Sequence, residues 1–160
     1  MDIQKRVFPT REAVRRFSNQ VPGIDVSAAE VLLQIIQTSH EIHQQIYDVL
    51  MKKYKISEGK LVVMIILYQS LEGIAPSTLA DHAGVTRATI SAMLRRMIRD
   101  RLACSFSDST DGRRKLVALT EKGRSFLNEI LPEHFKREAR LMHNLTEEER
   151  STLVRLLKKI

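Results

Sequence analysis

The residues able to do concentrated chemistry lie between Ser77 and Arg114, and they are cationic or small rather than catalytic. Ala88, Ala92, Arg95, Arg96 and Arg99 recur at spacings of three and four, so on a helix they share one stripe. Ile90, Leu94, Met97, Ile98 and Arg101 keep the same spacing on the opposite stripe, which is apolar apart from its last member. Guanidinium groups make forked, charge-assisted hydrogen bonds to phosphates, and small neighbours let a helix backbone come close to what it binds. A second cationic pair, Arg113 and Arg114, stands in a turn rich in Asp, Ser, Thr and Gly. Two short strand-like runs, Ala103–Phe106 and Lys115–Leu119, flank that turn, which makes a hairpin with a basic tip. A guanidinium at such a tip suits the negative potential of a DNA minor groove, and Asp111, two residues before Arg113, is placed to brace it.

The elements that must position these groups can be read from local signals. Ser77–Ala83 is a short helix pattern, and Gly84 is the residue type that stops a helix in the left-handed conformation and turns the chain sharply. Thr86 is a natural N-cap for the helix that follows. Helix, glycine turn and a second helix with small or hydroxyl-bearing residues at its leading end form the geometry that enters a major groove. The pair alone also fits an ordinary helical hairpin, but the adjoining basic hairpin adds the wing of a winged helix-turn-helix. Ser77 and Thr78, at the start of the first helix, add hydroxyl and N–H donors for a phosphate. Arg95, Arg96 and Arg99 face phosphates in this reading.

Here the residues also carry a family resemblance. The segment D-G-R-R-K-L-V-A-L-T-E-K-G from Asp111 resembles the D-x-R-x-x-x-V-x-L-T-x-x-G wing signature of the MarR family of bacterial transcription regulators, with Asp111, Arg113, Val117, Leu119, Thr120 and Gly123 in its fixed positions. The L-A-x-x-x-G-V-T run at Leu79–Thr86 is similar to the family's first helix and turn. The resemblance extends over about Ser27 to Ile160. It implies a homodimer on a palindromic operator, with Arg113 in the minor groove and Thr86, Arg87, Ala88, Thr89, Ser91 and Ala92 at base edges. It also implies a small-molecule effector, held where the dimer helices meet the DNA-binding lobe.

Composition sets the outer limits. The 160 residues, 43% of them hydrophobic, exceed what a winged helix alone requires. Net charge is +7, which favours a polyanionic partner such as nucleic acid or an anionic membrane surface. A membrane is the weaker match, because the longest apolar run, Leu61–Tyr68, is too short to span a bilayer. The polar, charged opening from Met1 to Arg16 is unlike a signal peptide, so a cytoplasmic location is expected. Cys104, the single cysteine, excludes an intrachain disulfide and is expected to be a small buried hydrophobe rather than a redox sensor.

Along the chain, residues 1–26 form a basic arm with a short helix from Thr10, suited to disorder, phosphate contact or lying across a partner subunit. Residues 27–56 form a dimerisation helix with a Ser27/Glu30 capping box, running to about Lys53. His40 and His43 on it invite a metal, but solvated helix polarity is the better account because further ligands are missing. Residues 57–123 form the winged helix: Ser57 caps a buried helix ending near Leu71, and Ile74–Pro76 joins the wing sheet. Residues 124–160 form further dimerisation helices: one capped by Thr120, kinked by Pro132 and apolar at Phe126, Leu127, Ile130, Leu131 and Phe135, and a last one with a Thr146/Glu149 capping box. The expected fold is therefore mainly α with a small β-wing.

Enzyme signatures are missing: no phosphate-binding glycine loop, H-E-x-x-H, C-x-x-C or nucleophile elbow occurs, and no cofactor is implied. Two functions of different class fit: a DNA-binding transcription regulator, expected to repress, and a winged-helix module that docks a protein. A docking helix would more often carry Leu or aromatic anchors on its outer stripe than arginines.

Overall fold

The computed structural model describes residues 11–18, 21, 23 and 25–160. The start expected at Thr10 for the arm helix lies outside them. The chain divides into two compact units, Met1–Asp48 and Val49–Ile160.

In the first unit, α1 spans Arg11–Ser18 and carries an exposed Glu12–Arg16 ion pair of 2.6 Å across one helical turn. The long helix α2, Val26–Val49, begins one residue before the expected cap. Asp25 is the capping side chain, its carboxylate accepting from Ala28 N–H at 2.9 Å, so the Ser27/Glu30 box is corrected: Ser27 already lies inside the helix. Along α2 the polar side chains pair at i,i+4, with Gln37 donating to Glu41 at 2.9 Å and Gln44 lying 3.1 Å from the His40 ring.

The second unit opens with a widened π-helical turn, Leu50–Tyr54, where an unbroken α-helix to about Lys53 was expected. Lys55 closes it in the left-handed conformation (φ 56°), its N–H bonding back to the carbonyl of Leu50. The widened turn accompanies the burial of both Leu50 and Ile56. Helix α3, Glu58–Gln69, starts at Ser57, whose hydroxyl accepts from Lys60 N–H, and it buries Leu61, Val63, Met64 and Leu67. It stops two residues before Leu71, where the Ser70 hydroxyl takes the carbonyl of Ile66.

Ile74 exchanges both main-chain hydrogen bonds with Val117, each 3.0 Å, so the expected short strand is present as a single bridge. Strand β1, Ala103–Ser107, pairs antiparallel with β2, Lys115–Leu119, from Ala103 opposite Leu119 to Ser107 opposite Lys115. Since β2 bonds Ile74 on one side through Val117 and pairs with β1 on the other, β2 is central and β1 is an edge. That corrects the expectation for Cys104. On β1 only Ala103 is buried, and Cys104 is exposed.

Helix α4, Pro76–Ala83, ends at Gly84 in the left-handed conformation (φ 64°), as its sequence requires. Helix α5, Arg87–Arg99, is capped by Thr86, whose hydroxyl accepts from Thr89 N–H, and it buries Ile90, Leu94 and Met97. Ile98 is 40% exposed and Arg101 lies beyond the helix, so the apolar stripe is narrower than the spacing predicts. Arg101 itself sits at φ 60°, a conformation that costs a residue with a Cβ about 1–2 kcal/mol. Arg101→Gly is expected to raise stability by roughly 0.5–1 kcal/mol after the entropy of the more flexible unfolded chain is counted. Urea denaturation checks this, and an unchanged or lower midpoint would contradict it.

Helix α6, Glu121–Leu141, runs through Pro132 and is capped by Thr120, which accepts from Gly123 N–H and donates to the carbonyl of Arg101 at 2.6 Å. The Thr146/Glu149 capping box is formed, with both reciprocal hydrogen bonds, at the start of α7, Glu147–Leu157. Helix α7 buries none of its residues, and Leu153, Val154, Leu156 and Leu157 are 42–52% exposed.

Candidate nucleic-acid interface

Helices α4 and α5, joined by Gly84 and Val85, place the leading end of α5 in the open: Thr86, Arg87, Ala88, Thr89 and Ser91 are exposed and Ala92 is half-buried. Arg95, Arg96 and Arg99 continue this face, all exposed. Burial of Ile90, Leu94 and Met97 on the reverse of α5 fixes which face points outward. Thr86 and Thr89 are not independent donors, because their hydroxyls pair at 2.9 Å while Thr86 caps the helix. Ser77 and Thr78 are exposed in the first turn of α4, where main-chain N–H groups lack helical partners.

At the wing tip the structure changes the role expected of Asp111. Its carboxylate accepts from the main-chain N–H of Arg113 at 3.1 Å, and its carbonyl accepts from Arg114 N–H at 2.9 Å. Asp111 therefore shapes the turn beneath Arg113 and does not grip the guanidinium. The ion pair belongs to Arg114 instead, whose guanidinium lies 3.8 Å from Asp108. Among the described residues, no ion pair or hydrogen bond engages the exposed Arg113 guanidinium.

Asp108, not among the expected site residues, organises the tip. One carboxylate oxygen accepts from both Thr110 N–H (2.8 Å) and the Thr110 hydroxyl (2.7 Å). Those bonds, with the Arg114 charge in a lesser role, hold its carboxyl below the ordinary carboxylate range. The signal was present in the sequence, since an Asp two residues before a Thr is the pattern of a side-chain-closed turn. Lys115 ties the two strands below, donating to Ser107 at 2.8 Å.

The wing is locked to α5 and α6 at one crossing. Leu102 N–H bonds the carbonyl of Met97, and the Leu102 carbonyl accepts from Thr120 N–H. At that crossing Gly123 leaves no room for a side chain: an added Cβ would lie 2.0 Å from the Leu102 oxygen. Arg113 and the face of α5 are thus carried by one framework of main-chain contacts.

No family model matches the chain. Over most of its length it is similar to the HTH-type transcriptional repressor YetL of Bacillus subtilis, at 25% identity over 97% of this chain and 93% of that protein. It is also similar to the HTH-type transcriptional regulator PecS of Dickeya dadantii, at 23% identity over 97% and 94%. Among solved structures, the MepR–DNA complex of S. aureus aligns with a TM-score of 0.70 and 26% identity, over 79% of this chain and 92% of MepR. A putative MarR-like transcription regulator from Bacillus cereus ATCC 10987 has the same fold, with a TM-score of 0.70 and 24% identity over 83% and 94%. The winged helix expected from sequence is therefore the fold observed.

Proposed function

We infer that this chain, a MarR-type winged helix-turn-helix transcription regulator and not an enzyme, binds a palindromic operator in double-stranded DNA as a homodimer and represses the adjacent genes. The observation that carries the reading is the shared framework of two exposed basic surfaces: the α5 face from Arg87 to Arg99 and the wing tip at Arg113. The leading end of α5 takes the major groove, where Arg87, Ala88, Thr89, Ser91 and Ala92 meet base edges, with Thr86 closing the helix behind them. Arg95 and Arg96 meet phosphates and Arg113 enters the minor groove. An electrophoretic shift with the DNA upstream of its own gene, in excess unrelated DNA, tests this. Absence of a shift at micromolar protein and low salt would refute it.

Dimerisation is supported by the apolar surface each chain leaves uncovered. In the second unit this includes Phe135 (56% exposed) together with the α7 leucines, and in the first unit Val31 and Leu32 (54% each) and Ile36 (42%). Surface of this kind is what a second copy buries, and a two-fold dimer holds its recognition helices about 34 Å apart, one turn of B-DNA. Light scattering at micromolar concentration is expected to give twice the chain mass. A monomer would contradict the dimer reading.

The family resemblance supports control by a small-molecule effector acting on that spacing. A ligand preferring the wrongly spaced state by about 1–3 kcal/mol weakens DNA binding roughly 5- to 150-fold. Operator DNA must then weaken ligand binding by the same factor. Calorimetric titration of a derepressing compound with and without operator checks this, and equal affinities would rule it out.

A further inference from the structure

The cationic end of α5 is followed directly by an acidic residue, and its position is electrostatically costly. Asp100 caps the C-terminus of the helix, where unpaired carbonyls already carry negative charge. It follows Arg95, Arg96 and Arg99 on the element expected to approach phosphates. A carboxylate there needs compensation, and the structure supplies it from two sides. One oxygen accepts from Arg99 Nε at 3.2 Å, and the other lies 3.7 Å from Lys60 Nζ of α3. The main-chain carbonyl of Asp100 also accepts from Lys122 Nζ of α6 at 3.0 Å. Lys60 is only 20% exposed, whereas Arg99 is 75% exposed and open to the solvent that a phosphate would occupy.

We propose that Asp100 tempers DNA binding: it competes with backbone phosphate for Arg99 and repels the phosphate that Arg99 would otherwise reach, while Lys60 keeps the carboxylate in place. The proposal rests on the DNA-binding reading. Arg99 in this scheme is a reserve cation, less engaged with DNA than Arg95 or Arg96. The consequence is a protein whose affinity is held below what its arginine content allows, with the restraint falling mainly on the sequence-independent part of binding. Exposed ion pairs of this kind are weak enough to exchange partners, which makes the competition real in both directions.

The test is Asp100→Asn, nearly isosteric and uncharged, with binding to operator and to unrelated duplex DNA measured across a salt series. Tighter binding, by about 2- to 5-fold per chain at moderate salt, is expected from releasing one exposed pair. The salt slope should steepen by about one counterion per chain as Arg99 neutralises a phosphate. Lys60→Met, which breaks the tie to α3 but keeps the Arg99–Asp100 pair, is expected to lower the melting temperature without steepening the slope. An Asp100→Asn protein that is folded but no tighter, with an unchanged slope, overturns the proposal, as does equal steepening by Lys60→Met. If Asp100→Asn does not fold, Arg99→Ala and Arg95→Ala decide the matter: the first must reduce the slope clearly less than the second, and equal reductions overturn the proposal. Failure of the wild type to bind any DNA would sink the underlying reading and this inference together, whereas the other adverse results sink this inference alone.

Discussion

Gly123→Ala is expected to lose at least about 3 kcal/mol of stability, the upper end of what one added methyl costs in a packed interior, and with it DNA binding. The added Cβ would stand 2.0 Å from the Leu102 carbonyl oxygen and 3.2 Å from the Leu119 side chain. The first neighbour decides the outcome. A flexible side chain could swing aside, but the Leu102 carbonyl is held by the N–H of Thr120, one residue after the wing. Relieving the overlap requires the start of α6 to move away from β1, which breaks that bond and the Thr120 cap. Gly84→Ala is the informative contrast, because nothing lies within 4 Å there and only the left-handed φ of 64° opposes the change. Its cost should stay near 1 kcal/mol. Thermal unfolding of both variants measures the difference. Equal losses would show that the crossing at Leu102 yields easily and does not hold the wing.

How legible this was depends on the range of the interaction concerned. Caps close within three residues, so Ser57, Thr86, Thr120 and Thr146 could be read from the chain, and each accepts the expected main-chain hydrogen bond. The same local chemistry does not decide at α2, where Asp25 and Ser27 are both good caps two residues apart and Asp25 is the one whose side chain accepts from the first turn. The π-helical turn at Leu50 was invisible because periodicity cannot show that Leu50 and Ile56, six residues apart, are both buried. Cys104 was misjudged for a topological reason: a strand-like run does not say whether it is an edge, and the bridge from Ile74 makes β2 the centre. Arg101 fitted a helical stripe by number alone, yet the helix ends at Arg99 and the stripe with it. The candidate site was legible as residue types on a face. Its internal wiring was not, since whether Asp111 or Asp108 meets a guanidinium depends on how a seven-residue turn coils.

That wiring sets the last expectation, which separates two adjacent arginines. Arg113→Ala is expected to weaken operator binding by about 1–3 kcal/mol per half-site, the scale of a good specific contact, or roughly 5- to 150-fold. Arg114→Ala should cost clearly less. Arg114 is tied to Asp108 at 3.8 Å and helps brace the turn, whereas Arg113 stands over the Asp111 turn with its main chain fixed and its guanidinium exposed. A side chain whose backbone is already ordered gives up less entropy on entering a narrow groove, and a narrow groove concentrates negative potential on it. Asp111→Asn probes the same arrangement from below. The amide oxygen can still accept from Arg113 N–H, so affinity should fall far less than in Arg113→Ala, while Asp111→Ala releases the turn and should approach it. Fluorescence anisotropy with a labelled operator, at fixed salt and with each variant's melting temperature recorded, separates these outcomes. Equal losses for Arg113→Ala and Arg114→Ala would mean that the wing contributes only diffuse charge, and that the Asp108 and Asp111 turns do not select which arginine reaches the DNA.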